Sequence, residues 1–222
     1  MSITLAFDIY GTLIDIQGVT QKLSEYTSLS SEFSAIWRQK QIEYSFRRGL
    51  MRRYENFAVC TRDALDYTDA ALKTSFDESA KKSLMEIYRV LPAFKDVEDS
   101  LIRAKQAGFK LFAFSNGGAE AIEKLLETAG IRGYFDGVVS VEKVKTFKPN
   151  PDVYHMFMET SQSDANNTWL ISSNPFDVIG AISAGMKAAW LKRSADVIFD
   201  PWGIEPTVTM ESLSQLPELV KL

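Results

Sequence analysis

Short apolar runs separated by amphipathic stretches constrain the fold of this chain more than any other feature. The runs at residues 3–7, 110–115, 137–141, 168–172 and 188–191 are nearly unbroken in apolar character. That pattern suits strands buried on both faces, not strands with one wet face. Helical patterns lie between them. Residues 94–107 place Val97, Leu101 and Ala104 on one stripe and stop at Gly108. Residues 119–129 turn Ile122, Leu125, Leu126 and Ala129 inward and stop at Gly130; 151–162 open on Pro151, and 176–184 stop at Gly185. Strands alternating with helices over short connections predict an α/β fold, a doubly wound parallel sheet of Rossmann-like type with right-handed crossovers. A turn-rich tail from Asp200, a short strand at 207–210 and a last helix complete the pattern.

One stretch breaks the alternation. Residues 15–91 hold no convincing strand and read as four helices, at 19–26, 32–47, 54–67 and 77–91. Pro92 closes the block, because the residue before proline resists helix. This predicts a core of residues 1–14 and 92–222 and an inserted helical cap of residues 15–91. Inserted after the first strand, the cap lies over the carboxyl edge of the sheet and excludes water from whatever sits there.

Composition removes several function classes. The net charge is −4 with no basic block, which argues against nucleic acid as a partner. The densest basic run, Arg47-Arg48 to Arg52-Arg53, lies near Glu43 and Glu55 and reads as a solvated helix face. No apolar stretch approaches the ~18 residues of a membrane span. The first residues enter a strand directly, so no signal peptide is expected, and the lone Cys60 fits a buried core position in a reducing cytoplasm. The only histidine, His155, lies inside a predicted helix with no nucleophile beside it, which argues against a Ser-His-Asp triad or a histidine metal site.

The polar residues fall at strand ends, where open α/β sheets bind ligands. Asp8 and Thr12 follow the first strand, Ser115-Asn116-Gly117-Gly118 the second, Lys148 the third, and Ser172-Ser173-Asn174-Pro175-Phe176-Asp177 the fourth. A carboxylate, an ammonium, hydroxyls and amides thus converge on one crevice. Any one of these is weak: Ser-Asn-Gly-Gly alone is usually a turn. A rigid aspartate at the end of a buried strand is either a loop cap or a nucleophile, since a buried carboxylate is costly without partners.

In these residues, and in Trp37-Arg38-Gln39-Lys40-Gln41-Ile42-Glu43-Tyr44 of the insert, the chain resembles the haloacid dehalogenase superfamily and, within it, the L-2-haloacid dehalogenases. The resemblance covers essentially the whole chain. Phosphatases of that superfamily hold Mg²⁺ between the nucleophile and late acidic residues and use a second aspartate two places on. Here that place is Tyr10, and the late loop offers only Asp177 as a carboxylate. The site is depleted in the oxygen charge that magnesium wants. Lys148 can fill the space instead and favour the charged form of Asp8. No metal or cofactor is expected.

The resemblance implies a hydrolytic dehalogenase of short L-2-haloalkanoic acids, haloacetates and fluoroacetate among them, with a haloacid and a halide ion as ligands and a homodimer as the assembly. It implies that Asp8 attacks C2 with inversion, that Arg38 and Asn116 take the halide, and that Ser115 and the loop amides hold the carboxylate. Thr12 and Ser172 orient Asp8 and Lys148, Asn174 and Asp177 position water, and Tyr154 bonds within this group. Ile9, Tyr10, Ile42, Phe57 and Phe176 surround the substrate. Phe176 stands where the family carries tryptophan, and Pro175 where it carries a small residue. A Mg²⁺-dependent phosphatase and a non-catalytic regulatory member of the superfamily are the alternatives.

Overall fold

The structure, a computed structural model, describes residues 2–219. Six parallel strands form one sheet in the order β3-β2-β1-β4-β5-β6: β1 (Thr4–Phe7), β2 (Lys110–Ser115), β3 (Gly137–Ser140), β4 (Thr168–Ser172), β5 (Lys187–Leu191) and β6 (Val208–Met210). β1 is central. Its last residue, Phe7, pairs with Ala113 of β2 on one side and Ile171 of β4 on the other. The chain therefore winds outward in both directions from β1, and the crevice at the end of β1 is the switch point where such sheets bind ligands. Leu5, Ala6, Phe7, Leu170 and Ile171 are fully buried, as their unbroken apolar runs require.

Helices α5 (Val97–Gln106), α6 (Ala119–Thr128), α7 (Pro151–Ser161) and α8 (Pro175–Ser183) cover the sheet. Leu101, Ala104, Ile122, Leu125 and Leu126 are the inward residues of their stripes. A short α9 (Leu216–Leu219) follows β6.

The inserted segment is helical: α1 (Gln17–Leu23), α2 (Ser30–Leu50), α3 (Phe57–Leu72) and α4 (Glu78–Glu86). The bounds of all four helices differ from the sequence expectation, and two of the shifts have a visible cause. α3 starts at Phe57, not Tyr54, because the Asn56 side chain accepts from the Val59 N–H as an N-cap. The last cap helix leaves α geometry at Ile87–Arg89, a single 3₁₀ turn, before Pro92. The segments that enter and leave the cap run side by side: Asp15 N–H donates to Pro92 O at 2.8 Å and Phe94 N–H to Leu13 O at 2.9 Å. The helices α2 to α4 form a cap set over the carboxyl edge of the sheet. Within it the fully buried Trp37 donates its indole N–H to Thr61 O at 2.8 Å, which pins α2 to α3. Aromatic pairs bridge cap and core: Phe46 meets Phe176 at 5.2 Å between ring centroids, and Tyr88 meets Tyr10 at 5.8 Å. No helix among the described residues is long and apolar enough to cross a membrane.

Candidate active site

Asp8 stands one residue past β1, and its backbone N–H donates to Ile171 O at 3.0 Å, so the sheet register itself fixes its position. The loop that follows is tight. Ile9 O accepts from the N–H groups of Thr12, Leu13 and Ile14, and Gly11 turns the chain at φ +80°, a conformation that glycine adopts without strain. Among the described residues the N–H groups of Ile9 and Tyr10 have no acceptor. Two backbone donors therefore remain unused directly beside Asp8.

The two oxygens of Asp8 differ. Oδ2 accepts from Thr12 Oγ1 at 2.8 Å and from Asn174 Nδ2 at 2.8 Å. Thr12 Oγ1 donates in the first bond, because a carboxylate oxygen only accepts, and it accepts in turn from Ser173 N–H at 2.9 Å. Among the described residues Oδ1 has one hydrogen-bond partner, Lys148 Nζ at 3.3 Å, which is long for a charge-assisted bond. One oxygen is saturated and the other is held loosely.

Lys148 is 1% exposed, and its ammonium spends its protons fully: 2.9 Å to Phe114 O, 2.8 Å to Asp177 Oδ2, and the long contact to Asp8. The Phe114 ring lies 4.2 Å beneath it. Asp177, fully buried near the start of α8, accepts on its other oxygen from Tyr154 OH at 2.8 Å. Burial pushes the Asp177 carboxyl above its ordinary range and Asp8 adds to that, while Lys148 pulls against them. Burial and the neighbouring Asp177 hold the Tyr154 phenol well above its usual value, so it donates as a neutral hydroxyl. The α7–α8 approach is close enough that a side chain at Gly180 would collide with the Tyr154 hydroxyl and Pro149 Cβ.

Strand ends two and four supply the remaining groups. Asn116 Oδ1 accepts from Lys148 N–H at 2.9 Å, which turns its NH₂ the other way, free of protein acceptors among the described residues. Ser115 Oγ accepts from Gly117 N–H at 3.0 Å and keeps its hydroxyl proton. Ser172 Oγ accepts from Asn174 N–H at 3.1 Å. It shapes the loop that carries Asn174 and, among the described residues, makes no hydrogen bond to Asp8 or Lys148.

From the cap, Arg38 on α2 makes no ion pair among the described residues. Its Nη1 donates to the neutral amide oxygen of Gln41 at 2.7 Å. Burial raises the phenols of Tyr10 and Tyr88, Tyr88 to about 12, and the Arg38 guanidinium beside both pulls the other way. A cavity of about 140 Å³ opens between Tyr10 and Gly117 of the core and Gln41, Phe57, Thr61 and Tyr88 of the cap. Phe57 and Tyr10 line it. Ile42 lies one residue beyond Gln41 and is half-buried, and Phe176 packs against Phe46 instead. The Ile9 side chain is fully buried in the core, so what Ile9 offers at this edge is its backbone.

The sequence reading assigns no role to several residues here. Ser173 donates to Gly11 O at 2.8 Å and holds Thr12 through its N–H. Arg193, just past β5, donates twice to Thr12 O, at 3.1 and 2.7 Å, and grips both oxygens of Asp96 at 2.8 Å. An arginine directly after the fifth strand was the available signal. His155 is exposed and Cys60 is buried, both away from these groups.

The chain matches the family described as haloacid dehalogenase-like hydrolase over residues 4–185. It is 37% identical over 216 residues to (S)-2-haloacid dehalogenase of Pseudomonas sp. (strain YL), covering 97% of this chain and 93% of that one. Haloacetate dehalogenase H-2 of Moraxella sp. (strain B) is 34% identical over 217 residues, 97% of this chain and 96% of its own. The solved structure of L-2-haloacid dehalogenase from Xanthobacter autotrophicus with chloropropionic acid covalently bound superposes with a TM-score of 0.92 at 31% identity, covering 100% of this chain and 99% of that one.

Proposed function

This chain belongs to the haloacid dehalogenase-like hydrolases, in their L-2-haloacid dehalogenase branch, and from that premise we propose that it hydrolyses short L-2-haloalkanoates to 2-hydroxy acids through an ester on Asp8. The observation that carries the reading is the asymmetry of Asp8. Thr12 and Asn174 occupy Oδ2, so Oδ1 is the oxygen with a lone pair to give.

Oδ1 attacks C2 in line with the carbon–halogen bond, a new C–O bond forms, and the halide leaves with the bonding pair. Inversion at C2 follows from attack opposite the leaving group. Arg38 and the outward NH₂ of Asn116 receive the halide. A cation at 4 Å attracts it by about 4 kcal/mol at an effective dielectric of ~20. The free N–H groups of Ile9 and Tyr10 and the Ser115 hydroxyl are placed to hold the substrate carboxylate, which keeps C2 against Oδ1.

The second step uses the same asymmetry. Once Oδ1 is esterified, Oδ2 is the ester carbonyl oxygen, already facing two donors. Thr12 and Asn174 then stabilise the negative charge that develops there when water attacks. The acyl–oxygen bond breaks, Oδ1 departs in the product hydroxyl, and the water oxygen stays on Asp8. Asn174 Oδ1 remains to accept from that water. Asp177 holds Lys148 and Tyr154 in place beside it. The balance is one halide and one proton released per turnover. Residues 15–91 act as the cap that keeps other water out, and two copies of the chain form the working assembly.

The test is halide release from L- and D-2-chloropropionate and chloroacetate, with and without chelator. We expect release from the L isomer and from chloroacetate, unchanged by chelator. Failure on all three, with chelator-sensitive turnover of a phosphate ester, would place the chain in another branch.

A further inference from the structure

We propose that Gln41, polarised by Thr61, is a positioning residue that aims Arg38 at the halide while leaving its charge unspent; this rests on the dehalogenase reading above. Gln41 is 1% exposed and lies one helical turn beyond Arg38 on α2. An amide can present either end, and one neighbour decides which. The Thr61 hydroxyl donates to Phe57 O at 2.8 Å, within α3. It therefore accepts from Gln41 Nε2, at 2.6 Å. That leaves Gln41 Oε1 facing Arg38 Nη1 at 2.7 Å. A flipped amide would set NH₂ against the guanidinium and a carbonyl against a hydroxyl whose proton is already committed.

Thr61 is itself fixed. Its carbonyl accepts the Trp37 indole N–H, so the residue that orders Gln41 also joins α2 to α3. The chain of bonds runs from the Phe57 carbonyl through Thr61 and Gln41 to Arg38, and Gln41, Thr61 and Phe57 all line the cavity beside Tyr10.

The choice of a neutral acceptor has a consequence. Other cap arginines are held by carboxylates: Arg48 by Asp63 at 2.5 Å, and Arg62 by Asp66 at 3.0 Å and Glu78 at 2.7 Å. A carboxylate fixes a guanidinium and also neutralises it. Gln41 fixes Arg38 without neutralising it, so the full charge remains for an anion. Gln41→Glu is then the sharpest variant, since it keeps shape and the acceptor toward Arg38 and adds the cancelling charge, while it gives up the donor to Thr61.

The experiment measures kcat and KM for L-2-chloro- and L-2-bromopropionate, together with inhibition by free bromide, in the wild type and in Q41E, T61V and T61S, with melting temperatures alongside. For Q41E we expect an intact fold, a fall of about ten-fold or more in kcat, a larger fall for the chloride leaving group than for bromide, and bromide inhibition weakened about ten-fold. T61V is expected to move the same readouts in the same direction by less, and T61S to restore them. If wild type releases halide and Q41E folds with kcat, leaving-group dependence and bromide inhibition all unchanged, the inference is overturned and Gln41 is packing. A T61V that lowers only the melting temperature overturns the part assigned to Thr61. If the wild type itself releases no halide from either substrate, the dehalogenase reading fails instead.

Discussion

On the core side of the cleft, charged groups saturate one another; on the cap side, the Arg38 guanidinium is held by an amide. Lys148, Asp177 and Asp8 form a buried chain of alternating sign in which every ammonium proton has an acceptor. Arg38 is half-buried and has a neutral partner. The difference follows from the job assigned to each. A nucleophile must be held still, and kept from bulk water until the one hydrolytic water attacks its ester. A halide-binding cation must be empty at the start, filled once, and emptied again. Burial with a partner suits the first and would defeat the second.

The largest expected effect is on the core side. Asp8→Asn removes the attacking oxygen, and halide release is expected to fall by about 10³-fold or more in a continuous assay, with the circular dichroism spectrum retained. Retained activity above a tenth of wild type would break the comparison at its base.

The next is energetic. Lys148→Met leaves Asp177 buried without its counter-charge, and breaking such a pair costs about 3–5 kcal/mol. Calorimetry is expected to show a fall of roughly 10 °C in melting temperature for a chain of this size. Adding Asp177→Asn removes the stranded charge, so the double variant is expected to melt above the single one while staying inactive. Arg38→Met on the cap side is expected to lose activity with a shift of only a degree or two. Similar melting losses for Lys148→Met and Arg38→Met would erase the distinction drawn between the two sides.

Smaller again is Arg193→Met. It strips both donors from Thr12 O and leaves Asp96 without its cation. We expect kcat to fall by about ten-fold with KM little changed, because the loop that aims Asp8 loosens while the substrate contacts remain.

The smallest effect is in acid. Burial pushes Asp96 up, but Arg193, the Leu213 N–H and Ser212 outweigh it and hold its carboxyl below the ordinary range. Asp69 is held low in the same manner, against burial, by the Phe76 N–H, Lys81 and Thr74. A carboxyl lowered on folding contributes stability that is present above its unfolded value, about 3.9, and lost as pH falls through the folded one. Urea melts are therefore expected to be level down to about pH 4 and to weaken below it. Arg193→Met is expected to flatten part of that slope.

The core half of the site was legible because strand ends converge by geometry. Once 3–7, 110–115 and 168–172 read as parallel strands, the residues just beyond them had to meet at one edge, and Asp8, Ser115 and Asn174 do lie there. Lys148 and Asp177 were found by the same rule, but their mutual bond and the third acceptor, Phe114 O, were not. Backbone carbonyls leave no trace in a residue pattern. The cap half was less legible. A helical stripe marks which face of α2 turns inward but not what it meets, so Gln41 read as one more polar residue between Ile36 and Ile42. Its partner Thr61 is on another helix, and only the α2–α3 packing sets the two together. Arg193 was silent for a similar reason, since it grips a carbonyl and an aspartate nearly a hundred residues away.

The most direct measurement is a single turnover with enzyme in excess, carried out in water enriched in ¹⁸O, followed by mass spectrometry of the product and of the peptide containing Asp8. Attack by Oδ1 predicts one heavy oxygen on Asp8 and an unlabelled 2-hydroxy acid. Heavy oxygen in the hydroxy acid, with Asp8 unlabelled, would mean that water displaces the halide itself and would contradict the role assigned to the aspartate.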